Sequence, residues 1–225
     1  MEISYPEKMF MDENESEFIT IWDEAKTYIE QGNYDKAIEI YKYILVRYGD
    51  SSTAVEYANA YLGDVYLTLG QPDLAESHVK KAIKCNSEKH EYHYILGFAY
   101  SKKNHWEKAI RELEMAVGKT PDCAEYLRAL GWAVSNNGDM TKGIEYLQKA
   151  KRLQPSNVDV LLDMANVYLL NLEFEKANQS AKQALEIDPG HSLVRLVFEK
   201  ICEFQKHYEN AKAKETGPRR KRLDR

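Results

Sequence analysis

The chain has 225 residues, 44% of them apolar, and a formal net charge of -5. That apolar content can build a continuous core, which excludes a disordered chain, and no stretch approaches the roughly 18–20 apolar residues of a membrane-crossing helix. Only 6 Pro and 11 Gly stand among recurrent Ala, Leu, Glu, Lys and Tyr, so an all-α class is expected.

Charge is unevenly placed. Residues 191–225 carry 10 Lys+Arg against 5 Asp+Glu, which leaves -10 on the preceding residues: an acidic body with a basic tail. Cys85, Cys123 and Cys202 are odd in number and far apart, which argues against a disulfide framework and toward a reducing cytoplasmic setting.

In chain order, Met1 to Glu17 is an acidic, Met-rich arm without the basic start and apolar run of a secretory signal. It is expected to be frayed or to form a short docking helix. Ile21 to Gly49 then holds Ala25, Tyr28, Gly32, Tyr34, Ala37 and Tyr41 in positions that recur downstream after four extra residues near Ser51 to Val55.

From there an offset of 34 residues aligns Leu62-Gly63 with Leu96-Gly97, Leu130-Gly131 and Met164-Ala165 without a gap. The same register aligns Ala75, Ala109, Gly143 and Ala177, then Ala82, Ala116, Ala150 and Ala184, then Ser87, Pro121, Pro155 and Pro189. Small residues in the first two columns let helix axes approach closely. Tyr28, Tyr66, Tyr100 and Tyr168 add bulk where a pair diverges, with Val134 the exception. Gly32-Asn33, Gly70-Gln71-Pro72 and Asn136-Asn137-Gly138 read as turns that end the first helix of a pair through a left-handed cap. The prolines stop the second helix, and Asp122, Ser156 and Ser192 are candidate caps for the next one.

Five helix pairs are expected at 18–51, 56–89, 90–123, 124–157 and 158–191. A capping helix comes next at 192–214, with Leu193, Leu196, Val197, Ile201 and Phe204 as its apolar stripe, and then a basic disordered tail at 215–225.

Leu-Gly-x-x-Tyr, then Ala, then Pro at this period resembles the tetratricopeptide repeat (TPR), over roughly Phe18 to His191. Gly49 for the terminal Pro, Val134 and Gly143 in the fourth repeat, and Ala165 in the fifth depart from the family pattern. The resemblance implies an all-α, right-handed superhelical solenoid whose first helices line a concave groove. It also implies which repeat positions face that groove. Here they are Trp22 and Asp23, then Tyr57, Tyr61 and Asp64, then Glu91, Tyr94 and Phe98, then Glu125, Arg128 and Trp132, and last Asp159, Asp163 and Asn166. Acids outnumber bases there and aromatics are interleaved, so the expected ligand is a basic protein or peptide segment carrying aromatic or apolar anchors. Some of these aromatics are equally expected to pack between first helices.

The family's carboxylate clamp for chaperone tails has no counterpart. Ala60, Asp64, Ile95, Glu125 and Ala129 occupy its positions, and the acids would repel a carboxylate.

No phosphate-binding loop, nucleophile elbow or zinc-protease helix is present, so neither enzymatic activity nor a cofactor is expected. His90 and His93 beside Cys85 have metal-like spacing, but no second ligand pair accompanies them, and no metal is expected. In the tail, Arg219, Arg220, Lys221 and Arg222 form a weak site for nucleic acid or an anionic membrane, because the acidic body opposes a polyanion. The tail could equally occupy the acidic groove of its own molecule or of a neighbour. Two function classes remain: a protein-binding adaptor or scaffold, and a structural protein that self-assembles into homo-oligomers.

Overall fold

An amphipathic helix in this chain has an apolar stripe to hide, and the next helix is the nearest thing to hide it against. The computed structural model describes residues 14–216, with side chains described over 17–212. Among the described residues there are 11 helices and no strands. The first two pairs are α1 (Asn14–Glu30) with α2 (Tyr34–Arg47), and α3 (Ser52–Thr68) with α4 (Pro72–Cys85). Then come α5 (His90–Lys102) with α6 (Trp106–Lys119), and α7 (Ala124–Asn136) with α8 (Met140–Leu153). The series closes with α9 (Val158–Leu170), α10 (Phe174–Ile187) and the long α11 (Ser192–Thr216). Each helix packs on its chain neighbours, and the first helices α3, α5, α7, α9 and α11 also touch in succession, which makes the array an all-α solenoid.

Buried side chains run as a spine from Phe18 to Ile201, with Val117 and Tyr146 touching both halves. The repeat columns sit at its tightest points. A Cβ on Gly63 would collide with the Val79 side chain, and one on Gly97 would lie 2.6 Å from Leu113 Cγ. In the fourth pair α7 and α8 are closer still, because a Cβ on Gly143 would stand 2.7 Å from the Gly131 carbonyl oxygen and run into Ser135 Oγ. Ser135 Oγ already donates to Gly131 O at 2.8 Å. The departure at Gly143 is therefore a local packing solution in which the hydroxyl fills the space of the missing methyl.

Turns between paired helices repeat one device. Gly32, Gly70, Asn104, Gly138 and Leu172 all have positive φ. After each the chain donates back across the helix end, as in Gln71 N to Tyr66 O at 2.8 Å and Glu173 N to Tyr168 O at 2.9 Å. Four of these residues are Gly or Asn, which tolerate that conformation, whereas Leu172 does not. Second helices α6, α8 and α10 end two residues before Pro121, Pro155 and Pro189. The expected caps are each displaced by one residue. Cys123 caps α7 by position alone, Asn157 accepts Val160 N at 3.1 Å before α9, and His191 Nδ1 accepts Val194 N at 3.3 Å at the start of α11. Asp122 and Ser156, directly after the Pro, still belong to the turn, which moves those two caps one residue on, whereas the third moves one residue back because α11 already begins at Ser192.

α11 stands where the first helix of another repeat would stand, packed on α9 and α10. Val194, Val197 and Ile201 are buried, while Leu193, Leu196 and Phe204 of the expected apolar stripe are exposed. Arg195, Glu199 and Cys202, which would face a further second helix, are also exposed, so the end of the array is polar there.

Leu172→Gly should raise the melting temperature. It relieves about 1–2 kcal/mol of left-handed strain against about 0.5–1 kcal/mol of added unfolded-chain entropy. Gly143→Ala, although it restores the family residue, should destabilise by about 1–3 kcal/mol through overpacking. Thermal melts by circular dichroism read both, and a neutral Gly143→Ala would mean that the α7–α8 contact can open.

Candidate functional site

Polar side chains of successive first helices meet in a seam. Tyr94 Oη on α5 donates to Glu125 Oε1 on α7 at 2.8 Å, and Arg128 Nη1 on α7 donates to Asp163 Oδ2 on α9 at 2.8 Å. Each bond spans about one repeat, so the pair pins neighbouring units together. Asp64 on α3 is half-buried and close enough to act on the charge of Tyr94. Burial raises the Asp64 carboxyl above its ordinary range, and Glu125 adds to the effect. No cation among the described residues is hydrogen-bonded or ion-paired to Asp64.

Asp163 shows which effect wins in this seam. Burial pushes its carboxyl up from 3.8 to about 6, although Arg128 pulls it down, and Asp159 adds to the rise. The seam thus keeps carboxylates partly dehydrated. Phe98 is half-buried and stacks on Tyr94 at 6.0 Å, with Lys102 Nζ 5.0 Å from its ring centre. Trp132 is half-buried and Asp159 exposed, and Asn166 is half-buried with its amide donated to Leu162 O at 3.0 Å. Glu91 Oε2 is enclosed and accepts no hydrogen bond; His90 Nδ1, at 3.5 Å, is too distant for a good one.

Other expected groove residues keep little exposed surface. Trp22, Tyr57, Tyr61 and Tyr94 are only 2%, 5%, 8% and 6% exposed. Trp22 meets Tyr61 edge-on at 5.1 Å and Tyr41 at 5.2 Å, so α1, α2 and α3 are joined by an aromatic cluster. Asp23 is exposed on α1. Arg219, Arg220, Lys221 and Arg222 lie outside the described residues, as do Met1 to Glu13 of the N-terminal arm.

The two histidines near Cys85 are engaged in packing. His93 bridges Glu112 Oε2 at 2.7 Å and Ser87 O at 3.1 Å, and His90 Nδ1 lies 2.9 Å from Tyr126 Oη. Among the described residues no group of three His, Cys, Asp or Glu could hold a metal ion. The three cysteines are free, and no described helix is long and apolar enough to cross a membrane.

One polar residue escaped sequence reasoning. Glu56 is buried and accepts from Tyr92 Oη at 2.8 Å and Asn86 Nδ2 at 3.1 Å, tying the second repeat to the third. Its place at the first position of a repeat could have flagged it as an inter-repeat contact.

The family model for the tetratricopeptide repeat matches residues 23–88 and 96–158, more than half of the chain. This chain belongs to the tetratricopeptide repeat family. A curated TPR relative, tetratricopeptide repeat protein 21B of Xenopus laevis, is 26% identical over 98 residues, which is 44% of this chain and 7% of that protein. The chain thus matches only a small part of that relative's length. Among solved TPR structures, TTC0263 of Thermus thermophilus aligns with a TM-score of 0.67 and 18% identity, over 82% of this chain and 98% of that one. YrrB, described as a TPR protein with an unusual peptide-binding site, aligns with a TM-score of 0.60 and 21% identity over 78% and 88%. At these identities the structures share the TPR fold.

The Asp163 carboxyl holds its proton to higher pH in the native state than when free. The fold should therefore lose stability as pH rises from 3.8 to about 6 and be level above that, as far as this group is concerned. Arg128→Met removes the partner that favours the charged form, so the Asp163 midpoint, followed by carboxyl 13C NMR, should move above its wild-type value. A midpoint unmoved by the substitution would show that the ion pair contributes nothing to the carboxylate's charge state.

Proposed function

We propose that this TPR chain is an adaptor whose first helices bind a basic, aromatic-containing segment of a partner protein along the acidic seam. The family and fold support a protein-interaction scaffold, and the scaffold reading assigns the chain no catalytic step. The finer reading is carried by the row of Asp64, Glu125, Asp159 and Asp163, two of whose carboxyls burial raises above the ordinary range. A carboxylate already stripped of water gains more from an arriving guanidinium or ammonium than a solvated one does.

Phe98 and Trp132, both half-buried, are the aromatic anchors that retain surface for a ligand. Trp22, Tyr57, Tyr61 and Tyr94 shape the support beneath. Three separated free thiols fit a cytoplasmic setting for this adaptor.

The test is fluorescence anisotropy with a panel of labelled Arg/Lys-rich, Trp-containing peptides. It compares wild type with Asp64→Lys/Asp159→Lys, each first shown to be folded by circular dichroism. Peptides that bind wild type should bind the variant at least about tenfold more weakly, and wild-type affinity should fall between about 50 and 500 mM NaCl. Equal affinity for both proteins would take binding away from the seam.

A further inference from the structure

We infer that the basic segment Arg219–Arg222 docks in the acidic seam of a second copy of this chain. The inference rests on the acidic-groove reading above and names one occupant for it. Charge supplies the first support: four consecutive cations lie beyond α11, while the seam presents Asp64, Glu125, Asp159 and Asp163 against Arg128 and Lys102. Leu223 directly after the cations adds an apolar side chain for the half-buried Phe98 and Trp132.

The length and anchoring of α11 decide between copies. The helix is held to the body as far as Asn178 Nδ2 to Gln205 Oε1 at 2.9 Å and the Phe174–Tyr208 ring contact at 5.3 Å, and it continues to Thr216. Val197 lies one repeat beyond Asp163 and marks its level on α11. The 19 residues from Val197 to Thr216 carry the chain about 28 Å past that level at a rise of 1.5 Å each. Arg222 is six residues beyond Thr216, a reach of about 21 Å when fully extended. Even doubled straight back, its backbone stops about 10 Å short of Asp163 once the helix spacing of about 8–10 Å is included. Glu125 on α7 is farther by about one helix spacing and Asp64 on α3 by about three. Only Arg222 of a fully extended segment comes within side-chain reach of Asp163, and Asp159, Glu125 and Asp64 stay beyond all four cations, whereas a second copy can present its whole seam to the segment. A contact between two different surfaces of one chain need not close, so the expected product is a head-to-tail series rather than a fixed dimer.

The experiment is sedimentation velocity on the full chain over a concentration series at about 50 and 500 mM NaCl. Wild type should exceed its monomer mass of 26.1 kDa increasingly with concentration at low salt and return toward it at high salt. Reversal of the segment (R219E/R220E/K221E/R222E) should hold the protein at one chain, as should the folded Asp64→Lys/Asp159→Lys variant. Mixing the two variants in equal amounts should restore the larger mass, since each supplies a surface complementary to the other.

Self-association that persists after charge reversal overturns the proposal, as does association lost only when residues 1–13 are removed. So does a wild type that stays monomeric while charge reversal raises its affinity for an added basic peptide, because the segment then occupies its own seam. A wild type that stays monomeric yet binds basic peptides in the seam overturns the self-docking alone. Failure of both peptide binding and self-association removes the acidic-groove reading on which it stands.

Discussion

Every first helix in this chain has two neighbours to satisfy, and the close contact that allows this is made by residues too small to hold the helices apart. Gly63 under Val79, Gly97 under Leu113 and Gly131 beside Gly143 bring the two helices of a pair near enough for Val79, Leu113 and Leu147 to be fully buried. Because apolar stabilisation accumulates at roughly 25 cal/mol per Å² removed from water, losing that approach would weaken whole stripes rather than single contacts. No pair can close its stripe alone, so stability passes from repeat to repeat. The polar outer face of α11 at Arg195 and Glu199 is where that demand ends among the described residues.

The polar seam is a consequence of the same stacking. First helices that touch in succession place equivalent side chains about one helix spacing apart, within hydrogen-bond reach of long side chains. Tyr94 with Glu125 and Arg128 with Asp163 use that spacing, and Glu56 with Tyr92 uses it between the second and third repeats. A buried polar group without a partner costs about 1–3 kcal/mol, so these contacts also resist slippage of one repeat against the next. Shape and charge of the concave side are therefore coupled, and a change in either is felt in the other.

Much of the architecture was legible because steric columns leave a sequence signature. The 34-residue register found the helix pairs, the close contacts and the Gly turns from residue identity alone. Leu172 was not legible as a left-handed residue, since nothing in a Leu announces positive φ; only its place 34 residues after Gly138 does. The candidate surface was less readable for a related reason. An aromatic at a groove position and an aromatic between first helices look the same in sequence, and Trp22, Tyr57 and Tyr61 became core where three helices converge. The carboxylates carried position but not environment. Their partial burial depends on neighbours one and two repeats away, which no local window contains.

That partial burial matters for any cationic ligand. A solvent-exposed carboxylate must give up water as an ion pair forms, and the net gain of such pairs is commonly only about 0–1 kcal/mol. Asp64 and Asp163 have already lost much of that hydration through folding, which is why their carboxyls hold protons more tightly than usual. Folding has thus raised the free energy of the charged seam, and an arriving cation relieves part of it. The same linkage makes the charge on Asp163 responsive near pH 6 rather than near the ordinary carboxylate range. Above that pH Asp163 carries its negative charge. Below it, a cation must displace a proton before it can pair with Asp163, so attraction and acidity compete at the same oxygen atoms.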